Sequence, residues 1–265
     1  MELCTLASGS SGNVVFIGTD ETGILIDSGI SGKRTEEGLN QIGRTGRDLQ
    51  AILITHEHAD HVQGLGVLAR KLKIPVYLTE GTRRAVKKMK SLGEIPEELF
   101  HVVKADVPVR IGGISVLPFS ISHDAAEPVG YRVEAGGRSA AVATDMGIYT
   151  EDTIRHLHGL DVLLLEANHD IHMLEVGRYP YYLKMRILGE KGHLSNEASG
   201  RLLSEILHDD MKHVLLGHLS QENNYPALAY ETVCAEVTMG DCPYRAGDFP
   251  IHIAPRDRTG ELLTF

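Results

Sequence analysis

Short apolar runs punctuated by glycine recur along the chain. Residues 14–18, 24–27, 51–55, 76–79, 114–119, 140–144, 161–166, 214–217 and 251–255 are such runs, with the length and β-branched content of buried strands. Between them the apolar positions change period. Residues 58–73 carry Val62, Leu65, Leu68, Ala69 and Leu72 at i, i+3, i+4 spacing, and 195–208 carry Leu202, Leu203, Ile206 and Leu207 in the same way, so both segments predict helices. Shorter helices are expected over 33–42, 81–91, 151–158 and 226–235. Strands outnumber helices, and helices enter at similar places in each half. This predicts two sheets packed face to face with helices outside, within a single domain spanning residues 1–265.

Composition narrows the class without changing that picture. The chain has 265 residues, 42% hydrophobic and 23% charged, with 28 Gly and no Trp, which excludes disordered, collagen-like and disulfide-scaffold classes. No run approaches the ~18 apolar residues of a membrane span. The start, Met1-Glu2-Leu3-Cys4-Thr5, lacks the basic and apolar regions of a signal peptide. Cys4, Cys234 and Cys242 form no CxxC pair and are odd in number, so a reducing, cytoplasmic setting is expected. The net charge of −10 excludes a broad basic nucleic-acid face, so any phosphate recognition must be local. Fourteen histidines are the anomaly, because imidazole is the commonest metal ligand.

They concentrate where chemistry is expected. Thr55-His56-Glu57-His58-Ala59-Asp60-His61 places three imidazoles and a carboxylate directly after a predicted strand. That is a poor way to build a core and a good way to bind metal. Asp60 also falls where a helix N-cap would lie. Other predicted strands lead to further ligand-type residues: Asp27, His123, Asp145 and His218. Strand ends converge on one sheet edge, so these residues are candidates for the same site.

In order and rough spacing, Asp27, the His56/His58/Asp60/His61 array, His123, Asp145 and His218 resemble the five motifs of the metallo-β-lactamase superfamily. The resemblance implies an α/β fold, a four-layer αββα sandwich, with two divalent metal ions on one edge. It implies that His56, His58 and His123 hold the first ion, that Asp60, His61 and His218 hold the second, and that Asp145 bridges them. Asp27 would orient a ligand from behind. A carboxylate in the bridging position is similar to the phosphodiesterase and glyoxalase branches, not to the β-lactamases proper. An all-imidazole and carboxylate set suits Zn, Mn or Fe.

Three segments bear on the substrate. Ser8-Gly9-Ser10-Ser11-Gly12-Asn13 is a turn whose N–H groups and hydroxyls can hold an anion, which makes Ser8, Ser10 and Asn13 candidate contacts. Gly192-His193-Leu194-Ser195-Asn196 opens a helix, with Ser195 or Asn196 as N-cap. Phosphate is favoured at such an end, and His193 could protonate a leaving alkoxide. The segment resembles a ribonuclease Z motif in which the histidine assists cleavage. Arg178-Tyr179-Pro180-Tyr181-Tyr182-Leu183-Lys184-Met185-Arg186 interleaves aromatics with cations, as strand binding requires, so Tyr181, Arg186 and Asn196 join the candidate substrate contacts. Arg83, Arg84, Lys87, Lys88 and Lys90 form a second basic run on a predicted helix.

With Glu166-Ala167-Asn168-His169-Asp170 and His218-Leu219-Ser220-Gln221-Glu222-Asn223-Asn224, these segments resemble the YycJ-like branch of the superfamily, also called VicX or WalJ. That resemblance implies a cytoplasmic 5′-to-3′ DNA exonuclease proposed for mismatch repair, with DNA rather than RNA as partner and no membrane; Asp60, which could accept a proton from the nucleophile, and His193 are the candidate catalytic groups. A small-molecule hydrolase acting on a cyclic phosphate, ester or thioester, and a metal-loaded regulatory protein, are the alternatives.

Overall fold

Each apolar run becomes a strand, and five further strands join them. The computed structural model describes residues Met1–Phe265, and two compact units divide the chain. Met1–Ser120, Ala125–Arg138 and Pro255–Phe265 form the first; Ile121–Asp124 and Ser139–Ala254 form the second. The elements are β1 (Glu2–Ala7), β2 (Val14–Gly18), β3 (Gly23–Ile26), α1 (Gly32–Gln41), β4 (Leu49–Leu53), α2 (Ala59–Val62), α3 (Leu65–Leu72), β5 (Val76–Thr79), α4 (Glu80–Val86), β6 (Phe100–Val103), β7 (Val109–Ile111), β8 (Ile114–Ser120) and β9 (Val129–Ala135). Then come β10 (Arg138–Ala143), α5 (Glu151–Leu157), β11 (Val162–Glu166), α6 (Ile171–Val176), α7 (Tyr181–Leu188), α8 (Asn196–Ile206), β12 (His213–Gly217), α9 (Pro226–Met239), β13 (Ile251–Ile253) and β14 (Leu263–Thr264).

In the first unit, one sheet runs in the order β14-β1-β2-β3-β4-β5-β6. It is antiparallel through β3 and parallel from β3 to β6. β7, β8 and β9 pair as an antiparallel meander. Phe16, Leu25, Ile52 and Ile54 are fully buried in the core beside the sheet. Because β3 and β4 run the same way, the chain leaves both at one edge, where Asp27 and the 55–61 array follow. The helix expected over 58–73 is broken into α2 and α3. The Gly64 N–H donates to the Ser28 carbonyl at 2.8 Å and so leaves the helical ladder, a tertiary contact that periodicity does not reveal.

The second unit carries β10-β11-β12-β13, all parallel. Parallel neighbours need crossovers, supplied here by α5, by α6 to α8, and by α9. The register pairs Ala143 with Leu165 and Glu166 with Gly217, so Asp145, Glu166 and His218 emerge side by side at the C-terminal edge. No helix is long and apolar enough to cross a membrane.

Candidate metal centre

Strand ends in both units are shaped by backbone that L-residues rarely adopt. Of the five non-glycine residues at positive φ, three are Asp27 (63°), Asp145 (62°) and His218 (56°). Asp and His tolerate this region better than most side chains, and such conformations persist where surrounding structure holds them. Each turns the chain sharply as it leaves a strand.

In the first unit, the Asp27 carboxylate accepts the Thr55 N–H at 2.9 Å and the Thr55 hydroxyl at 2.9 and 3.0 Å. Its Oδ2 lies 2.7 Å from His61 Nδ1. The Thr55 hydroxyl is also 3.0 Å from His56 Nδ1. His56 and His61 are fully buried, with ring centroids 4.1 Å apart, and the His58 ring lies 4.6 Å from His56. Asp60 does not cap the helix: His58 occupies the N-cap of α2 and Asp60 sits in its first turn. There Asp60 Oδ2 is 3.4 Å from His61 Nε2. Burial pushes the Asp27 carboxyl up, against the opposing pull of His61 and Thr55.

In the second unit, Glu166 organises the edge. Its Oε1 is 2.8 Å from His193 Nδ1 and 3.0 Å from His218 Nδ1. Its Oε2 accepts the N–H groups of Met146 at 2.9 Å and Leu194 at 3.1 Å. Burial alone would raise this carboxyl, but the two imidazoles outweigh it and hold Glu166 at about 2. Asp145 Oδ1 lies 3.7 Å from His123 Nε2, 3.5 Å from His218 Nε2 and 3.6 Å from His193 Nδ1. Asp145, Glu166, His193 and His218 each offer a ligand atom within 4.8 Å of the others. Both Glu166 oxygens are already taken by donors, so it acts as a holder of imidazoles. His123 Nδ1 faces the Gly192 carbonyl at 3.0 Å. Burial opposes the His193 imidazolium, but Glu166 and Asp145 prevail and raise its pKa.

Four of the buried imidazoles share one arrangement. His56, His61, His123 and His218 each set Nδ1 against a partner fixed by the backbone or by a buried side chain, and such a partner fixes the ring's orientation. The donor set of imidazole and carboxylate fits a divalent ion such as Zn, Mn or Fe.

The candidate substrate residues have mixed settings. Asn13 Nδ2 is 3.1 Å from His61 Nε2 and 3.4 Å from Asp60 Oδ2, so its loop abuts both side chains. Ser10 is exposed, whereas Ser8 is buried. Ser195 is the N-cap of α8, accepting the Ala198 N–H. Asn196 is fully buried and exchanges both amide bonds with Asn224 at 2.8 and 3.1 Å, so its side chain braces the loop. Tyr181 and Tyr182 stand 77% and 74% exposed on α7, which buries no residue. Arg186 is bound to Asp124, next to His123. The basic run on α4 is answered by acids: Arg83 pairs with Glu80 and Glu97, and Lys87 with Glu97.

Sequence reasoning did not assign a role to Glu166 or Asn168, whose Nδ2 donates to the His218 carbonyl at 2.9 Å. Both stand in the quoted 166–170 segment, and a carboxylate closing the apolar run of β11 was the available signal.

The chain is similar to known proteins over most of its length. The profile described as "Beta-lactamase superfamily domain" matches residues 22–218. The Exodeoxyribonuclease YycJ of Bacillus anthracis is 40% identical over 233 residues, 88% of each chain. Among solved structures, Zn(2+)-bound PqqB from Methylobacterium extorquens aligns over all of both chains with a TM-score of 0.75 at 18% identity. The metallo-β-lactamase fold protein YhfI from Bacillus subtilis aligns over 99% of this chain and 98% of its own, with a TM-score of 0.69 at 15% identity. At these identities the likeness shows the fold, the α/β sandwich class expected from the motifs.

Proposed function

The chain belongs to the Beta-lactamase superfamily, and from that membership we infer a two-metal 5′-to-3′ exodeoxyribonuclease in which both units act as one domain. The observation that carries this reading is the clustering at strand ends of four buried imidazoles with Nδ1 held, His61 beside Asp60 and His123 and His218 beside Asp145. His56, His58 and His123 are assigned to one ion, Asp60, His61 and His218 to the other, and Asp145 to both. Zn, Mn and Fe all fit this donor set. Divalent ions held there would lower the pKa of water to about 7 and polarise a phosphoryl oxygen.

The chain's own residues do the rest. Asp27 and Glu166 keep His61 and His218 in the ligating tautomer. His193, its Nδ1 fixed by Glu166 and its side chain still partly exposed, is placed to give a proton to the leaving oxygen. Asp60 is the candidate to take one from the attacking water. Ser10 and Asn13 offer donors to the strand backbone, with Ser8 and Asn196 shaping the loops behind them. Tyr181 offers a face on which a base can stack. Arg186, bound to Asp124, steadies α7 beside His123. The 40% identity to an exodeoxyribonuclease over 88% of the chain favours DNA over RNA. A cytoplasmic role in DNA repair follows from the same reading.

End-labelled single- and double-stranded DNA and RNA, incubated with protein loaded with Mn or Zn, test it. Mononucleotides released from the 5′ end of DNA, and lost in His61→Ala, are expected. Turnover of bis(p-nitrophenyl) phosphate without cleavage of any polymer would favour a small-molecule hydrolase instead.

A further inference from the structure

The turn at residues 9–12 has a basic neighbour from far along the chain, Arg256. Its closing bond runs from the Gly12 N–H to the Gly9 carbonyl at 2.9 Å, and that bond uses neither the Ser10 nor the Ser11 N–H. Both serines are exposed. The Ser8 N–H lies 3.2 Å from the carbonyls of Pro255 and Arg256, which fastens the 255–258 segment to the turn. The Arg256 stem then lies across Gly9: a Cβ added there would sit 2.7 Å from Arg256 Cγ and 3.4 Å from both Cδ and Nε. Glycine at position 9 is what lets the arginine in. Arg34 reaches the same segment, donating to the Asp257 carbonyl at 2.9 Å, and Arg258 is exposed beside it. In a chain of net charge −10, two arginines flanking Asp257 on this stretch, with Arg34 reaching it from α1, are a local exception.

The turn is also tied to the metal ligands of its own unit. The Gly9 N–H donates to Asn13 Oδ1 at 2.9 Å, and the same amide meets Asp60 and His61. One side chain, Asn13, therefore bonds both the start of the turn and the Asp60–His61 pair.

Resting on the nuclease reading above, we propose that the 9–12 turn with Arg256, backed by Arg34, receives the terminal 5′-phosphate of a DNA strand. A terminal phosphomonoester carries about −1.5 to −2 charge and three acceptor oxygens, more than an internal diester, and so matches arginine plus turn N–H groups. Holding that end next to Asp60 and His61 positions the first phosphodiester linkage for cleavage and dictates release of mononucleotides from the 5′ end.

The test compares oligodeoxynucleotides that differ only in a 5′-phosphate or 5′-hydroxyl. Binding is read by fluorescence anisotropy in metal-free full-length protein, and degradation in metal-loaded protein. The wild type should bind the phosphorylated strand at least tenfold more tightly. Arg256→Gln should bring that ratio below threefold, with Arg256→Lys keeping part of it. Ser10→Asp, at an exposed position tolerant of change, should also abolish it, and inorganic phosphate should compete against the phosphorylated strand only. Equal affinity for both ends, an undiminished ratio in Arg256→Gln and Ser10→Asp, or equal competition by phosphate overturns the pocket. If DNA is degraded while the ends bind equally, the pocket fails and the nuclease stands. If the phosphate preference holds but no DNA is degraded, the nuclease reading fails and the pocket stands.

Discussion

Asp27 in the first unit and Glu166 in the second are both buried carboxylates that fix imidazoles at a strand end, yet they titrate in opposite directions. Asp27 accepts from one residue's N–H and hydroxyl and from one imidazole, and burial still pushes it up. Glu166 accepts from two imidazoles and two backbone N–H groups and is held at about 2. Desolvation is severe in both cases. What differs is the second imidazole, which tips the balance towards the charged form.

The largest expected effect of that difference is on stability. Glu166→Gln should cost about 3–5 kcal/mol in urea unfolding of the metal-free protein, the scale of breaking a buried charged network. Asp27→Asn should cost about 1 kcal/mol, because the neutral amide escapes the burial penalty. Equal costs would break the comparison.

Metal affinity comes next. Each of these carboxylates holds Nδ1 of an imidazole proposed to ligate, so either variant should weaken metal binding by about 10- to 100-fold, measured by competition with a chelator dye. An unchanged affinity in either would mean that its imidazole does not ligate.

The pH dependence of the metal-free protein should split in sign. The folded pKa of Glu166 is depressed, so its contribution is present above the ordinary carboxylate range and lost as pH falls towards about 2. That of Asp27 is raised, so its contribution is greatest below its unfolded pKa and declines as pH rises through the folded one. Chemical denaturation of each variant across pH 3–7 should therefore show the cost of Glu166→Gln growing with pH and that of Asp27→Asn shrinking.

The smallest stability effect is expected on α7. Tyr181→Ala should change unfolding free energy by less than about 0.5 kcal/mol, as exposed substitutions do. It should nevertheless weaken single-stranded DNA binding by about 1–3 kcal/mol, read by anisotropy. Unchanged DNA binding would leave the exposed tyrosines without a ligand.

The candidate ligand cluster was legible because ligand-type residues stood after apolar runs, and runs such as Val14–Gly18 and Val76–Thr79 match their strands at both ends. Other features depended on partners distant in sequence. β1 carries Thr5 inside and shifts register between Thr5 and Ala7, so neither alternation nor a clean run marks it. β9 mixes Tyr131, Arg132 and Glu134 and borrows its order from β8. Glu166 looks like a strand end, and nothing local says that its oxygens meet imidazoles 27 and 52 residues onward. Arg256 stands far along the chain from the Gly9 it covers.

The direct test of the central claim is metal content, by elemental mass spectrometry, alongside exonuclease rate in wild type, His61→Ala and Asp145→Ala. The account predicts two equivalents per chain in the wild type, with metal and 5′-end DNA degradation falling together in both variants. Full activity in Asp145→Ala, or a wild type that degrades DNA without bound metal, would contradict it.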